Sequence, residues 1–336
     1  MALDASQTDP FGPLALPPTL PRLLADIGGT HARFAWQAGA GAPLSDEAVL
    51  RCDDHAGLEA AIGHYLGQRG GHRPAEAALA IATPVQGDRV QMTNREWSFS
   101  IEALKLSMGL QRLLVLNDFK ALALALPALQ ADELQPLLPG TADMQAPRAV
   151  LGPGTGLGVA TLVSTPRGEL ALDGEGGHVT LAAADDEEAA VIAWLRQRFG
   201  HASAERALSG PGLVNLYEAA CGLYGSAATS MSPADVVDAA RRGTDAACVK
   251  ALGWFMAFLG NVAGNLALTV GARGGVYVGG GIPPRIADLL PASRFAERFL
   301  GKGRFRSYLS AIPVHLIDAR SSAALRGAAR ALDAGA

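Results

Sequence analysis

The sequence predicts an α/β protein of two domains, and three features of the chain support this prediction. Its 336 residues are more than one hydrophobic core usually holds. Apolar runs typical of strands alternate with segments of helical periodicity, which indicates a partly parallel sheet. Each half of the chain also contains a glycine-rich turn between two apolar runs, which is the pattern of a β-hairpin.

The two glycine-rich turns have the same layout. The turn at Gly28 follows the apolar run 23–27, and the turn at Gly154 follows the apolar run 149–151. Glycine permits positive φ angles and close backbone approach, and successive bare N–H groups in a turn can form an anion-binding nest. Two facing nests would hold the phosphates of one nucleotide, whereas either turn taken alone is compatible with an ordinary hairpin.

The rest of the first half predicts further strands and helices in alternation. Ser100 is the expected N-cap of one of these helices. The strands are predicted over 47–52, 77–82, 89–92 and 113–116, and the helices over 58–69, 100–107 and 119–130.

A proline-rich region, 127–147, separates this half from the second. After the second hairpin, Ser209 or Gly210 is expected to cap one of several helices. The helices are predicted near 187–199, 212–222, 233–241, 245–270 and 322–333, and the strands over 275–278 and 314–317.

Residues 251–272 contain no charged side chain, and a stretch of that length raises the question of a membrane span. Gly260 and Gly264 also have the spacing of a membrane helix-packing motif. Asn261, Asn265 and further glycines argue against a span, so we predict a buried helix whose glycines let another backbone approach closely.

Composition excludes several classes of partner. The net charge is −4 with no run of basic residues, so neither nucleic acid nor an anionic membrane is an expected partner. Three widely spaced cysteines form neither a disulfide framework nor a metal motif, which fits a reducing cytosol. Residues 1–20 contain four prolines, lack the pattern of a signal peptide and predict a loose extension.

Asp118 is the strongest candidate for a catalytic residue. It follows the apolar run 113–116 and Asn117, so its carboxylate is expected at the end of a buried strand, where such folds bind ligands. A carboxylate there can accept the proton of an attacking hydroxyl group. The alternative is that Asp118 is the N-cap of the helix that follows.

A second polar group lies in the glycine-rich segment 173–178. Glu175 and His178 can form hydrogen bonds with sugar hydroxyl groups, although an ordinary loop is an equal alternative. Glu205 is a further candidate, with a surface salt bridge as its alternative. The acidic segment 185–188 is expected to begin a helix, where negative charge complements the helix dipole, and not to bind metal.

Taken together, these motifs resemble the bacterial glucokinase family. The resemblance runs from about residue 23 to residue 330, with the motifs in the order and spacing of the family. His31 stands where the family usually has asparagine. The segments that carry the resemblance are ADIGGTHAR, TPVQGDRVQMTNREWSFS, LNDFKALA, LGPGTGLGVA, GEGGHV, SAERALSGPGLVNLYEA and GGVYVGGGIPPR.

The resemblance implies ATP-dependent phosphorylation of glucose at its 6-hydroxyl group, with Asp118 as the catalytic base. Asp26 is expected to orient Mg²⁺ through water, because Mg²⁺ tends to keep its waters. The implied sugar ligands are Asn117, Asp118, Glu175, His178 and Glu205. The implied nucleotide-binding residues are Ala25, Asp26, Ile27, Gly28, Gly29, Thr30, Gly154, Thr155, Gly156 and Gly280.

The resemblance also implies the two-domain hexokinase/actin-like (ribonuclease H-like) fold, with a ligand cleft between the domains. We expect a small α/β domain over 21–128 plus 317–336 and a large α/β domain over 129–316. The expected partners are glucose and ATP, with no nucleic acid and no membrane, and the expected protein is a cytoplasmic homodimer.

Two other functions stay open. One is a kinase for another hexose, such as mannose, fructose or an N-acetyl hexosamine. The other is a non-enzymatic nucleotide or sugar sensor of the same fold, or an actin-like switch. The sugar-ligand set disfavours the switch, and a turnover assay would separate a sensor from an enzyme.

Overall fold

A computed structural model describes residues 20–92, 96–318 and 322–334. The predicted extension over residues 1–20 therefore lies almost wholly outside the described residues, as does part of the motif TPVQGDRVQMTNREWSFS. The first half of the chain contains seven described strands, five of which form one sheet and two a short ribbon. They are β1 (Arg22–Ile27), β2 (His31–Gln37), β3 (Leu44–Arg51), β4 (Glu76–Ile81), β5 (Arg89–Gln91), β6 (Ser98–Ser100) and β7 (Arg112–Asn117).

The five-stranded sheet has the order β3-β2-β1-β4-β7. The first glycine turn joins the antiparallel strands β1 and β2, which confirms the predicted hairpin. Strands β1, β4 and β7 are parallel, with Ile27 level with Ile81 and Ile81 level with Asn117. The carboxyl ends of these three strands therefore meet at one edge of the sheet.

The second half forms a six-stranded sheet with the order β11-β10-β9-β12-β13-β8. The second glycine turn joins the antiparallel strands β9 and β10, so this hairpin is confirmed as well. Val278, at the end of β12, is level with Leu151 in β9. The strands are β8 (Leu134–Leu138), β9 (Arg148–Pro153), β10 (Leu157–Thr165), β11 (Gly168–Gly174), β12 (Val276–Val278) and β13 (Val314–Ile317).

Ten helices within the described residues cover the two sheets. Leu58, Ile62 and Leu104 of the first two helices pack in one core with the five-stranded sheet, and the C-terminal helix packs on its other face. The helices are α1 (Leu58–Gln68), α2 (Ile101–Met108), α3 (Asp118–Ala125), α4 (Asp186–Phe199), α5 (Gly210–Tyr224), α6 (Pro233–Arg242), α7 (Ala246–Val270), α8 (Phe295–Leu300), α9 (Arg306–Ser310) and α10 (Ala323–Asp333).

Side-chain caps fix where several helices begin. The Ser100 hydroxyl accepts the Ala103 N–H at 3.1 Å, which confirms the predicted cap of α2. The Ser209 hydroxyl accepts the Gly212 N–H at 2.9 Å, so Ser209 is the cap of α5. Each cap satisfies a backbone N–H that has no partner within the helix.

The acidic segment 185–188 begins α4, as predicted. Asp185 caps the helix by accepting the Glu188 N–H at 2.8 Å. The buried Glu188 carboxylate accepts from the Arg298 guanidinium at 2.6 Å, and this ion pair fastens α4 to α8. Among the described residues there is no group of three or more histidine, cysteine or acidic side chains placed to hold a metal ion.

Helix α7 is the buried helix that the sequence predicts. It is long and apolar enough to cross a membrane, but 72% of its most apolar stretch is buried against the rest of the protein. A Cβ added at Gly264 would lie 2.6 Å from the Phe299 carbonyl oxygen, and one at Gly260 would overlap the Phe295 carbonyl oxygen. The two glycines therefore let the backbone of α8 approach closely, as predicted.

Helix α3 lies between the two sheets. Ala121 and Leu124 of α3 share one apolar cluster with Leu116 of the five-stranded sheet and with Val150 and Leu162 of the six-stranded sheet. The helix that begins at Asp118 is therefore held by both halves of the molecule.

Three strands and two short helices differ from the sequence prediction, and the first of these strands is β6, which pairs with β5. The proline-rich region 127–147 contains strand β8, which lies at the edge of its sheet, where Pro136 leaves no central ladder hydrogen bond unmade. Residues 173 and 174, predicted as part of a glycine turn, end the edge strand β11. The short helices α8 and α9 were not predicted because few residues carry their periodicity.

Candidate active site

Three polar side chains meet at the carboxyl edge of the five-stranded sheet. Asp26 lies near the end of β1, Asn117 ends β7, and Asp118 is the first residue of α3. The register of the parallel strands brings them to the same edge, which is where α/β folds place ligand-binding groups.

Asn117, and not Asp118, is the N-cap of α3. Its Oδ1 accepts the backbone N–H groups of Phe119 at 2.9 Å and of Lys120 at 3.2 Å. The alternative interpretation of Asp118 as the cap is therefore wrong. Asp118 is the first helical residue, and its Oδ1 accepts the N–H of Phe119 at 2.9 Å.

The surroundings of Asp118 suit a general base near neutral pH. Burial, together with the negative charges of Asp26 and Glu175, raises the pKa of its carboxyl group to about 7, and the hydrogen bond from the Phe119 N–H opposes this rise. A general base works best when its pKa is near the working pH. Strongly shifted carboxyl groups also cluster at functional sites.

Asp26 lies beside this carboxyl group with an arginine as its partner. Its Oδ2 accepts from Arg33 Nη1 at 3.1 Å, and its side chain is 19% exposed. Burial raises the pKa of Asp26, and the Arg33 guanidinium opposes that rise. The edge of the sheet therefore carries two acidic groups and one strong cation.

Cys52 contacts the first glycine turn through its backbone N–H and its thiol. The Cys52 N–H donates to the Thr30 carbonyl oxygen at 2.9 Å, and the thiol lies 3.6 Å from the Gly28 carbonyl oxygen. Cys52 is fully buried. These contacts join segments that are distant in the chain and were not predicted from the sequence.

Two of the expected anion-binding groups are already occupied. The Gly28 N–H donates to the His31 carbonyl oxygen at 2.9 Å, and the Gly154 N–H donates to the Gly156 carbonyl oxygen at 2.7 Å. The expectation of bare N–H groups at Gly28 and Gly154 is therefore corrected. The bond at Gly28 uses the backbone of His31, so it does not depend on the side chain at that position.

Close packing, and not a positive φ angle, requires glycine at positions 152, 156 and 158 of the second turn and its flanking strands. None of Gly28, Gly154 and Gly156 has a φ in the left-handed region. A Cβ at Gly152 would lie 2.6 Å from the Gly279 carbonyl carbon, and one at Gly158 would overlap the Phe119 ring. The expectation of positive φ angles in these turns is therefore wrong for these glycines.

At Gly280, glycine is required both for a positive φ angle and for close packing. Its φ is +82°, and a Cβ there would overlap the Pro153 carbonyl oxygen. The neighbouring Gly279 N–H donates to the Leu151 carbonyl oxygen at 2.8 Å. The loop after β12 is thereby packed against the second glycine turn.

Glu175 and His178 stand on a short 3₁₀ turn beside the second glycine turn. Their side chains are 62% and 60% exposed, with His178 Nε2 3.8 Å from Glu175 Oε2. The charge of Glu175 acts on Asp118, so these two carboxyl groups lie near each other. A Cβ at Gly177 would overlap the Leu157 carbonyl oxygen, so this glycine brings the turn against β10.

Glu205 bonds to the second glycine turn. Its Oε2 accepts the Leu157 N–H at 2.8 Å, and the side chain is half-buried. This hydrogen bond replaces the surface salt bridge that the sequence left as an alternative. The structure thus brings Asp26, Asp118 and Glu175 into electrostatic contact and ties Glu205 to the turn.

The two halves of the molecule also meet near Asp118. The Phe119 ring lies against Gly158 of β10, and Lys120 Nζ lies 3.3 Å from Asp173 Oδ1 in β11. Neither contact was predicted from the sequence. They place the start of α3 beside the loop that carries Glu175.

Solved structures that are similar to this one include sugar kinases. A glucokinase from an Antarctic psychrotroph superimposes with a TM-score of 0.84 at 38% identity, over 93% of this chain and 98% of that chain. A ROK family glucokinase from Streptomyces griseus, solved with glucose and AMPPNP, has a TM-score of 0.61 at 20% identity over 92% of this chain, which shows the fold alone. The protein therefore has the hexokinase-like fold of the sugar kinases.

The sequence relatives narrow this class. The family model described as Glucokinase matches residues 23–334. The glucokinase of Aromatoleum aromaticum is 52% identical over 316 residues, which are 94% of this chain and 95% of that protein. The glucokinase of Chromobacterium violaceum is 50% identical over 302 residues, 90% of this chain and 86% of that protein. The chain belongs to the glucokinase family, which confirms the resemblance.

Proposed function

We propose that this protein transfers the γ-phosphoryl group of ATP to the 6-hydroxyl group of glucose, with Asp118 as the general base. The observation that carries the proposal is the carboxyl group of Asp118, whose pKa is raised to about 7 at the edge of a sheet. Its carboxylate accepts the proton of the 6-hydroxyl group as that oxygen attacks the γ-phosphorus in line. Family membership supports the choice of ATP and glucose as substrates.

The sugar is held by side chains from both halves of the chain. Glu175, His178 and Glu205 approach from the six-stranded half, and Asn117 and Asp118 from the other side. Carboxylates accept from sugar hydroxyl groups, and a neutral imidazole both donates and accepts. The Glu175 and His178 side chains suit this role, because more than half of each is exposed and can be covered by a sugar.

The nucleotide lies across the two glycine turns. The backbone of Thr155 and Gly156 lines the transferred phosphoryl group, where fixed N–H donors stabilise developing charge. The first turn, residues 25–30, faces the same phosphates, and Gly280 lies near the adenosine. Because the Gly28 and Gly154 N–H groups are used within their turns, those two residues shape the site instead of donating to phosphate.

The residues at the sheet edge fit a hydrated Mg²⁺. Asp26 offers a largely buried carboxylate beside that of Asp118, and Mg²⁺ in phosphoryl-transfer sites uses one or two carboxylates together with substrate phosphates. When bound with ATP, the ion neutralises charge on the phosphate oxygens. Asp26 would hold it through water, and Arg33 fixes the orientation of Asp26.

The cleft lies between a small domain, residues 21–128 plus 317–336, and a large domain, residues 129–316. The two sheets divide the chain close to these bounds. Helix α3 is packed on both sheets, so Asp118 lies at the hinge. Sugar binding closes the domains and brings the first glycine turn towards the second, which excludes water from the phosphoryl group.

The proposed setting is the cytoplasm, and the proposed assembly is a homodimer. Cys52, Cys221 and Cys248 are buried and form no disulfide, which fits a reducing compartment. Size-exclusion chromatography with light scattering measures the assembly directly. A mass near twice 34.6 kDa supports the dimer, and a mass near 34.6 kDa contradicts it.

A coupled assay over a panel of hexoses with ATP tests the proposed function. We expect the highest kcat/KM with glucose, and product phosphorylated at the 6-position by ³¹P NMR. A higher kcat/KM with mannose, fructose or an N-acetyl hexosamine would favour the other sugar kinases. Tight glucose binding without turnover would favour a sensor.

A further inference from the structure

The segment from Glu205 to Gly210 holds the second glycine turn at both of its ends. The Leu157 N–H donates to Glu205 Oε2 at 2.8 Å, and the Gly210 N–H donates to the Gly154 carbonyl oxygen at 2.8 Å. A segment that carries a proposed sugar ligand is therefore bonded directly to the turn that faces the phosphates.

Glu205 is placed to contact a bound sugar and the second glycine turn at the same time. Its backbone is fixed, because the Ser209 hydroxyl donates to the Glu205 carbonyl oxygen at 2.8 Å. Oε2 is bonded to Leu157, whereas Oε1 makes no hydrogen bond within the part of the chain that the structure describes. An ionised carboxylate accepts through both oxygens, so Oε1 can take a hydroxyl donor while Oε2 keeps its bond.

The turn and this carboxylate are closely fitted. A Cβ added at Gly156 would lie 2.5 Å from Glu205 Oε2. By contrast, a Cβ added at Gly154 in the same turn would meet its nearest atom, the Gly281 backbone nitrogen, at 3.9 Å. A methyl group added at position 156 would therefore clash with Glu205, whereas one added at position 154 would make no close contact.

We infer that Glu205 is a positioning residue that transmits occupancy of the sugar site to the phosphate-facing turn. Oε1 accepts a sugar hydroxyl group while Oε2 holds the Leu157 N–H, so bound sugar restricts the Glu205 side chain and orders the turn. ATP then binds a turn that the bound sugar has already ordered, so ATP binding loses less conformational entropy. The coupling is reciprocal, and the inference rests on the proposed sugar and phosphate sites.

Calorimetry of AMPPNP binding, with and without saturating glucose, measures this coupling. In the unaltered protein we expect glucose to tighten AMPPNP binding about fivefold or more. In Glu205→Gln the amide oxygen can still accept from Leu157, but the NH₂ group cannot accept from a sugar hydroxyl. We therefore expect this variant to bind glucose more weakly and to show less than about twofold coupling.

Gly156→Ala separates coupling from sugar affinity. The added methyl group displaces the Glu205 carboxylate from the Leu157 N–H, while the carboxylate keeps its charge and both of its oxygens can still accept from a sugar hydroxyl group. We expect glucose affinity within about threefold of the unaltered protein and coupling below about twofold. Gly154→Ala is the matched control, in which AMPPNP affinity itself can change but the coupling factor should stay at its original value.

Hydrogen exchange gives a readout that does not require ATP. Glucose alone should slow exchange in peptides covering residues 154–159, and this slowing should disappear in Glu205→Gln. Melting temperatures check that each variant is folded, and if Gly156→Ala does not fold, the exchange result for Glu205→Gln decides.

Unchanged coupling in a folded Gly156→Ala variant would overturn the inference. Equal loss of coupling in Gly154→Ala and Gly156→Ala would also overturn it, because any damage to the turn would then be sufficient. If the unaltered protein phosphorylates glucose and the variants keep their coupling, the inference alone fails. Absence of glucose phosphorylation in the unaltered protein would overturn the proposed function as well.

Discussion

The charge of Asp26 raises the pKa of Asp118, because the two carboxyl groups lie at the same edge of the five-stranded sheet. Burial is the larger cause of the raised pKa, and Glu175 adds to it from the other half of the molecule. Arg33 offsets part of the charge at Asp26. The protonation of the proposed base is therefore set jointly by both halves of the chain.

The first prediction concerns pH. Asp118 must be deprotonated to accept a proton, so kcat/KM should rise with pH and level off above about pH 7. Asp26→Asn removes one negative neighbour and should move the pKa of Asp118 downwards, though not to its ordinary value, since burial remains. A ¹³C NMR titration of the Asp118 carboxyl group measures this independently of activity. A pKa near 4 in the unaltered protein would contradict the expectation.

The second prediction concerns the base itself. Asp118→Asn should lower kcat by about two to four orders of magnitude, the usual contribution of a positioned acid–base group. Glucose should still bind, because asparagine keeps one acceptor and most of the shape. Steady-state kinetics and glucose titration measure the two effects separately. Near-normal turnover in this variant would remove Asp118 from the mechanism.

The third prediction concerns stability. The pKa of Asp118 is about 7 in the folded protein and near its ordinary value of 3.8 when unfolded, so the folded state binds the proton more tightly. Ionisation of Asp118 therefore destabilises the fold progressively as pH rises from about 4 to about 7. Asp118→Asn lacks this penalty, so its melting temperature relative to the unaltered protein should rise across that window. A difference independent of pH would show that burial of Asp118 carries no such cost.

The fourth prediction concerns sugar recognition. A sugar that closes the cleft over Glu175 buries this carboxylate, and removing one partner of a buried hydrogen bond costs about 1–3 kcal/mol. Glu175→Ala should therefore weaken glucose binding roughly ten- to a hundredfold and leave ATP affinity little changed. Glu59→Ala, an exposed glutamate on α1, is the matched control. Equal losses for glucose and ATP would instead point to a folding role for the turn.

The sequence predicted the parts of the site that depend on local pattern. Asp118 follows a buried strand, and both glycine turns lie between apolar runs, so each position was visible as a motif. What local pattern cannot give is the pairing of distant residues. Glu205 with Leu157 and Cys52 with Thr30 are contacts between segments far apart in the chain, so no spacing of residues signals them.

The errors have a similar cause. The edge strands β8 and β11 have one neighbouring strand each, so their residues alternate only weakly between buried and exposed. Pro136 in β8 is also more typical of a loop than of a strand. Glycine was expected in the two glycine turns both for positive φ angles and for close backbone approach, and at Gly152 and Gly158 only the close approach is confirmed. Their actual role is to admit the backbone of Gly279 and the Phe119 ring, which becomes visible only when the two halves are assembled.

The fifth prediction concerns closure of the cleft. Asp26 stands on the five-stranded sheet and Glu175 and Glu205 on the other half, while α3 is already packed against both sheets through Phe119 and Gly158. Closure should therefore move the first glycine turn about a hinge near α3, and leave Asp118 in place relative to Glu175.

Water competes with glucose as the acceptor, so a site that is always assembled would hydrolyse ATP. Induced fit avoids this, because sugar binding energy completes the site. Glucose alone should reduce the radius of gyration measured by small-angle scattering, and ATP hydrolysis without sugar should be far slower than phosphorylation with it. Gly158→Ala, whose added methyl group would overlap the Phe119 ring, should disturb the hinge and weaken the compaction. If scattering profiles with and without saturating glucose superimpose, and sugar-free hydrolysis is as fast as phosphorylation, the site is assembled without closure and the mechanism is wrong.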